Sequence, residues 1–307
     1  MAKALITGID GFAAPYLAEE LLKKGYSIIG SYLVSPGRIV KGVDYEKLDI
    51  LNKDDVKKLV SDFKPEYVFH LAGFSSVAKS WENPELCRKI NVEGTRNLLD
   101  ALVEENIKAK LLFISSAEVY GKPKFFPITE EHPLNPENPY AESKLEAEGI
   151  CLLPKYKSLS IVISRSFNHT GTGQSPDFVC SDFAKQIAEI EKGKREPVIK
   201  VGNLEAKRDF SDVRDISIAY SLFDKCKPGI YNIGSGRAYA IREILDILIS
   251  MSRAKIKEES DPKKFRKIDV PVMFGSHEKF SAETGWQPRI SIEKTLESIL
   301  DYWREKI

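Results

Sequence analysis

Lys3-Ala4-Leu5-Ile6-Thr7-Gly8-Ile9-Asp10-Gly11-Phe12-Ala13-Ala14 opens the chain with a short apolar run and a turn holding two glycines, after which Leu17, Leu21 and Leu22 recur at helical spacing. The order is strand, glycine turn, helix. Glycines at 8 and 11 let the backbone turn tightly and approach a pyrophosphate, whose charge meets the free N–H groups and positive end of the helix. A tight strand-to-helix turn wants glycine for its own sake as well, so the motif draws its weight from the strand before it and the helix after it. The third small position is Ala14 rather than glycine, which still allows close helix packing. Gly8, Asp10, Gly11, Phe12 and Ala13 are the expected phosphate cradle. The expected fold class is α/β: a Rossmann-type doubly wound parallel sheet with a smaller C-terminal α/β substrate-binding lobe.

Residues 26–34 (YSIIGSYLV) read as the next strand, whose end is where an acidic residue would bind the ribose 2′-hydroxyl of NAD. Ser31 and Tyr32 stand there instead, with Arg38 and Lys41 following, which leaves room for a 2′-phosphate and tilts the cofactor from NAD toward NADP. Asp49 and Ile50 in KLDI begin a segment that would place a carboxylate near the adenine; a turn or helix-start residue is the other reading of the same pattern. YVFHLAG (67–73) has the near-continuous apolar character of a buried parallel strand and ends in Leu71, Ala72 and Gly73, suited to a passing cofactor. LLFISS (111–116) repeats that design and brings in Ser115. Between them 84–105 reads as one long helix with Asn91 inside it, and a second should follow Pro139. Such a pair, 84–105 with 139–153, could pack against its copy as a homodimer's four-helix bundle.

In Asn138-Pro139-Tyr140-Ala141-Glu142-Ser143-Lys144, Pro139 can open a helix at no cost, placing Tyr140 and Lys144 one turn apart on one face. A phenol beside an ammonium has its ionised form favoured, so its pKa is expected to fall from about 10 toward neutrality and suit proton exchange at a carbonyl. Spacing alone leaves a chance surface pair open, because Tyr120 and Tyr302 also have a lysine four residues on.

The 307 residues suffice for two lobes. Boundaries are expected at 1–165 for the dinucleotide-binding domain, with 208–235 returning to it, and at 166–207 and 236–307 for the substrate lobe. Lys plus Arg (46) nearly balances Asp plus Glu (45), which leaves no electrostatic footprint for nucleic acid or an anionic membrane. No run is apolar enough to span a bilayer and the start goes directly into a strand, so a cytoplasmic protein is expected. The four cysteines form no CxxC and the four histidines no HxxxH, which argues against disulfides and any metal. A 30% charged content suits a heat-loving source. From Leu159 the pattern changes: a strand from 160 runs into a glycine-rich polar loop to 175, and helices then alternate with short extended pieces. The basic loop DPKKFRKIDVP (261–271), with Arg208, offers guanidinium groups suited to phosphate.

TGIDGFAA, HLAG (70–73), SSAEVYG (115–121), PYAESK (139–144), RSFNHTGTGQ (165–174) and KRDFSDVRD (207–215) together resemble the extended short-chain dehydrogenase/reductase superfamily over essentially the full length. FNHTGTGQ, GNLEAKRDFSDVRD and DPKKFRKIDV look like its branch handling GDP-mannose derivatives, which holds 4,6-dehydratases and smaller 4-keto-sugar reductases. The resemblance implies a GDP-sugar substrate and Ser116, Tyr140 and Lys144 as catalytic triad, with Glu118 as a further candidate. It implies sugar-nucleotide contacts from Ser75, Glu118, Asn168, Phe178, Val179, Arg208, Arg266 and Asp269. In dehydratases an Asp or Ser stands between the active-site hydroxyl and the glutamate; this chain reads Ser116-Ala117-Glu118, and Ala117 cannot transfer a proton. The chain also lacks the dehydratases' basic insertion after the second strand. The expectation is NAD(P)H-dependent reduction of the C4 keto group of a GDP-4-keto-6-deoxy-mannose-type sugar, ahead of GDP-mannose 4,6-dehydratase, a nucleotide-sugar 4-epimerase and a non-catalytic dinucleotide sensor.

Overall fold

Ala4, Leu5 and Ile6 are wholly buried in β1 (Lys3–Thr7), because this strand lies inside a sheet covered on both faces. The computed structural model describes residues 1–265 and 268–307. Its main sheet is seven-stranded and entirely parallel, in the order β10-β6-β5-β4-β1-β2-β3. The strands are β2 (Ser27–Tyr32), β3 (Val43–Lys47), β4 (Tyr67–His70), β5 (Lys110–Ser116), β6 (Ser160–Ser166) and β10 (Gly229–Ile233). Helices α1 (Ala14–Lys23), α8 (Val213–Tyr220) and α10 (Glu278–Thr284) pack on one face. Helices α2 (Lys53–Phe63), α5 (Gly94–Glu104) and α6 (Pro139–Cys151) cover the other. Strand order reverses beside β1, so a crevice opens beyond the C-terminal ends of β1 and β4, where ligands of doubly wound sheets bind.

A second core joins α7 (Val179–Glu191), α9 (Ile241–Ser250) and α11 (Ile292–Lys306) to β8 (Val198–Val201), β9 (Lys207–Asp212) and β11 (Ala238–Ala240). β9 is the hub of the smaller sheet, pairing antiparallel with β11 and parallel with β7 (Asn168–Thr170) and β13 (Val272–Met273). The return to the main sheet therefore starts at α8 rather than at residue 208. Strand β12 (Lys257–Ser260) pairs with β8.

The acidic groups of KRDFSDVRD turn out to be joints. Asp212 caps α8 through Arg214 N–H at 2.8 Å and accepts from Thr295 of α11 at 2.7 Å. Asp215 accepts from the N–H groups of Arg289 and Ile290, both at 2.8 Å, fixing the approach to α11. Asp209 is 1% exposed and accepts from Ser235 and Gly236, where the chain passes from β10 to β11; burial pushes its pKa up to about 6.

The expected helix over 84–105 is present as one helical run to Glu104 that contains a π-helical turn. α3 (Val77–Glu82) ends at Asn83, α4 (Pro84–Arg88) follows, and a π-helical turn over Lys89–Glu93 leads into α5. Asn91 lies in that turn, and such single-turn bulges re-aim a side chain. No helix among the described residues is long and apolar enough to cross a membrane.

Candidate active site

Asn138 starts α6: its side chain accepts from the Ala141 N–H at 2.8 Å and Pro139 takes the first turn. That start sets the phase of the helix, so Tyr140 and Lys144 share a face and are 9% and 7% exposed. Ser116 ends β5 and caps the 3-10 turn Ala117–Tyr120 by accepting from the Glu118 N–H at 3.2 Å. Its hydroxyl is hydrogen-bonded to Tyr140. Of the other two Tyr/Lys pairs, Lys306 donates to Tyr302 on the exposed end of α11 at 2.7 Å, and Tyr120 is buried in the core.

The expected fall in the Tyr140 pKa is not what the structure shows. Burial raises it, with the Ser116 hydrogen bond opposing, and burial pushes Lys144 down to about 8. Lys144 Nζ lies 6.0 Å from the Tyr140 ring centroid and donates instead to the Ile114 carbonyl at 2.8 Å. At that separation its pull on a phenolate is smaller than the phenolate's loss of water.

The glycine turn fits a pyrophosphate. Gly8 has φ +72°, and a Cβ there would lie 2.7 Å from the Ala72 Cα, so only glycine lets β1 and β4 end this close together. Asp10 and Gly11 are exposed, and Ala13 begins α1 without a side-chain cap, leaving the helix start to an anion. Phe12 stacks on His169 at 6.1 Å between centroids, which brings β7 against the turn. Leu71, Ala72 and Gly73 follow β4 beside it, and a Cβ on Gly73 would meet Asn91 Oδ1 at 2.8 Å.

Several other candidates are engaged within the protein. Asn91 accepts from Phe74 N–H at 2.8 Å and donates to Ser143 at 2.8 Å, clamping the loop after β4 to α6. The Ser115 hydroxyl donates to Glu148 at 2.5 Å. Tyr32 ends β2, while Arg38 pairs with Glu19 and lies over the Tyr16 ring at 4.8 Å. Asp49 accepts from Leu51 N–H at 2.9 Å, and Ile50 is buried against Gly94.

On the sugar side, a cleft is lined by Val77, Glu118, Asn138, Arg208, Ile268 and Val270. Asn138 donates to Glu118 Oε2 at 3.1 Å. Arg208 donates to Asp269 at 2.6 Å, and Asn203 donates to the second Asp269 oxygen at 2.7 Å. Ser75 is exposed in the loop before α3, Asn168 begins β7, and Phe178 and Val179 begin α7. Lys79 of α3 bridges to Asp177 just before α7 at 2.7 Å, joining the two sides. Arg266 lies outside the described residues.

Sequence reasoning missed Glu148, Arg165 and His70. His70 is 1% exposed, shares hydrogens with Thr7 at 2.7 Å and Thr95 at 3.0 Å, and is pushed down to about 3 by burial and by Lys144. Glu148 is the one signal available in advance, an acid four residues past Lys144 on a buried helix face. Among the described residues no group of three or more His, Cys, Asp or Glu side chains is placed to hold a metal ion.

The model of the GDP-mannose 4,6 dehydratase family matches residues 5–299. GDP-6-deoxy-D-mannose reductase of Pseudomonas aeruginosa is 35% identical over 310 residues, covering 99% of this chain and 98% of the relative. RMD from Pseudomonas aeruginosa, solved in complex with NADPH, matches all of both chains with a TM-score of 0.88 at 31% identity. UDP-glucose 4-epimerase from Thermotoga maritima, solved with UDP-glucose, gives 0.89 at 26% identity over 99% of each chain. With its glycine turn, its Ser116, Tyr140 and Lys144 side chains brought near one another and these likenesses along its whole length, the chain belongs to the GDP-mannose 4,6-dehydratase family of the extended short-chain dehydrogenase/reductase superfamily, and is an enzyme of that type.

Proposed function

We propose that the chain reduces the C4 keto group of a GDP-4-keto-6-deoxy-mannose-type sugar to give a GDP-6-deoxyhexose, using NADPH or NADH. The observation that carries this reading is Ala117, an apolar residue 2% exposed, placed between Ser116 and Glu118 where loss of water from the sugar calls for a proton-transferring side chain. The likeness to a GDP-6-deoxy-D-mannose reductase supports it.

A bound reduced nicotinamide supplies the hydride. Ser116 holds the C4 oxygen by hydrogen bonding, and Tyr140, kept protonated by its burial, donates its phenolic proton to that oxygen as charge develops. Lys144 sits one turn further along α6, charged below about pH 8, and places its ammonium where it favours the departing proton's phenolate and a ribose hydroxyl. Gly8 to Ala13, with Leu71 to Gly73, are assigned to the dinucleotide, and Ser75, Glu118, Asn168, Phe178, Val179, Arg208 and Asp269 to the nucleotide sugar, Glu118 and Arg208 lining the cleft. NADP is favoured over NAD because Ser31 and Tyr32 end β2 without an acid, and a 2′-phosphate would exchange with Glu19 for Arg38. Residues 1–165 with α8, β10 and α10 then act as cofactor lobe and the remainder as sugar lobe. A homodimer through 84–105 and 139–153 belongs to the same reading, supported by Leu86, Leu152 and Leu153, which are 47%, 61% and 38% exposed there.

The 4,6-dehydratase is the second reading, since the Glu118 carboxylate, held by Asn138, borders the cleft. Incubation with GDP-mannose and no added nicotinamide separates the two: no change is expected, and a 4-keto sugar product would overturn the reductase.

A further inference from the structure

Glu148 and Arg165 form an ion pair behind the site at 2.7 Å, with side-chain exposures of 2% and 3%. Arg165 Nε reaches both carboxylate oxygens, at 3.1 and 3.2 Å, while Ser115 donates to Glu148 Oε1 at 2.5 Å. Arg165 Nη1 donates to the Tyr120 hydroxyl at 3.2 Å, which in turn donates to Asn232 at 2.7 Å. The cluster therefore touches β5 beside Ser116, the 3-10 turn that carries Glu118, α6 one turn beyond Lys144, β6, and β10.

Stability alone does not account for such a pair. Two charges withdrawn from water are often replaced by apolar residues of similar volume at no loss. What a bidentate fork provides is direction, and here it sets the rotation and depth of α6 against the ends of β5 and β6. We infer that the Glu148–Arg165 pair is the positioning element of the site, fixing Lys144 and Ser116 relative to each other and keeping the charge behind Lys144 balanced. The inference rests on the roles given to Lys144 and Ser116 above.

The titratable groups facing Lys144 are His70 on β4, Cys87 on α4, and Tyr140, Glu148 and Cys151 on α6. Burial keeps His70 neutral and pushes the Cys87 and Cys151 thiols and the Tyr140 phenol up. Among these described groups, Glu148 is the one held in an ion pair, with Arg165. Removing Glu148 leaves an unbalanced positive charge behind Lys144 and makes its proton easier to lose; removing Arg165 leaves a negative charge and does the reverse. A purely structural pair would loosen the site the same way from either side.

The test uses the full chain as wild type, Glu148→Gln, Arg165→Met, and the double variant Glu148→Leu with Arg165→Met. The rate of Lys144 acetylation by acetic anhydride is followed against pH by mass spectrometry, and turnover is measured beside it. The wild-type midpoint is expected near pH 8, where burial places Lys144. It should move down by about one pH unit in Glu148→Gln and up by about one in Arg165→Met. The double variant should return the midpoint to wild type while losing about tenfold or more in turnover, because the fork is gone. Single-variant midpoints that stay put or move in the same direction overturn the inference. If a single variant fails to fold, the double decides: a native circular dichroism spectrum with wild-type turnover overturns the inference, and the expected loss supports it. A wild type that reduces no keto sugar contradicts the proposed function instead, and the acetylation midpoints still judge the pair.

Discussion

Tyr140 shows how the same neighbours yield opposite electrostatics once burial is included. Spacing on a helix suggests an ammonium lowering a phenol, whereas in the folded chain desolvation acts on both groups and raises one while lowering the other. A protonated phenol suits reduction, in which the oxygen gains a proton. Tyr140→Phe is expected to lower kcat by about 10²–10⁴-fold while dinucleotide affinity, measured by fluorescence titration, stays near wild type; retained turnover would mean a different donor. His70 permits a test by pH. Its folded pKa of about 3 lies below the unfolded value near 6.5, so the unfolded chain binds more protons between those values, and stability present at pH 7 is lost as pH falls. Between pH 7 and 5 that loss is about 2 kcal/mol. His70→Gln, which keeps a donor and an acceptor for Thr7 and Thr95, should flatten this part of the acid limb in denaturant titrations at pH 7 and pH 5. That Ser116, Tyr140 and Lys144 would lie together was legible from the motifs; how their protons are held was not, because that depends on neighbours far apart in the chain, such as Thr7, His70 and Thr95.

Elements were legible where apolar pattern and punctuation agree. β1, β4 and β5 are apolar because helices cover both faces, and α6 is announced by Asn138 and Pro139. β3, with the sequence VDYEK, and β12, with KEES, were not legible: both lie at sheet edges, where charged residues suit solvent and carry no strand signal. β9 was missed because its acids, read as motif residues, serve as joints to Ser235 and α11. Glycines separate the two kinds of position at this scale. Gly8→Ala forces a positive φ and a backbone contact at 2.7 Å, and should cost at least about 1–3 kcal/mol and weaken dinucleotide binding about tenfold or more. Gly149→Ala, whose Cβ meets nothing within 4 Å on an exposed turn of α6, should stabilise by about 0.5–1 kcal/mol. Urea unfolding of the pair checks both signs.

At the scale of the whole molecule, the parallel, doubly wound character of the main sheet was legible from the N-terminal turn and the apolar strands after it, and a second lobe was expected from the change of pattern after Leu159. The strand order and the point where the chain returns to the main sheet were not legible, since β9 and β10 are separated only by α8 and a short 3-10 turn, and their sequences do not say which sheet each joins. Exposed leucines at 86, 152 and 153 predict association in solution. Sedimentation equilibrium should show a dimer that Leu86→Glu with Leu152→Glu turns into a folded monomer; a monomeric wild type would remove that part of the account. The central claim is hydride delivery to C4 with Tyr140 as proton donor, and it is tested most directly by supplying GDP-4-keto-6-deoxy-mannose with NADPH carrying deuterium at the transferable position. One deuterium at C4 of the product, matched by one NADPH oxidised, is the predicted result; a sugar product without deuterium, or no NADPH oxidised, would contradict it.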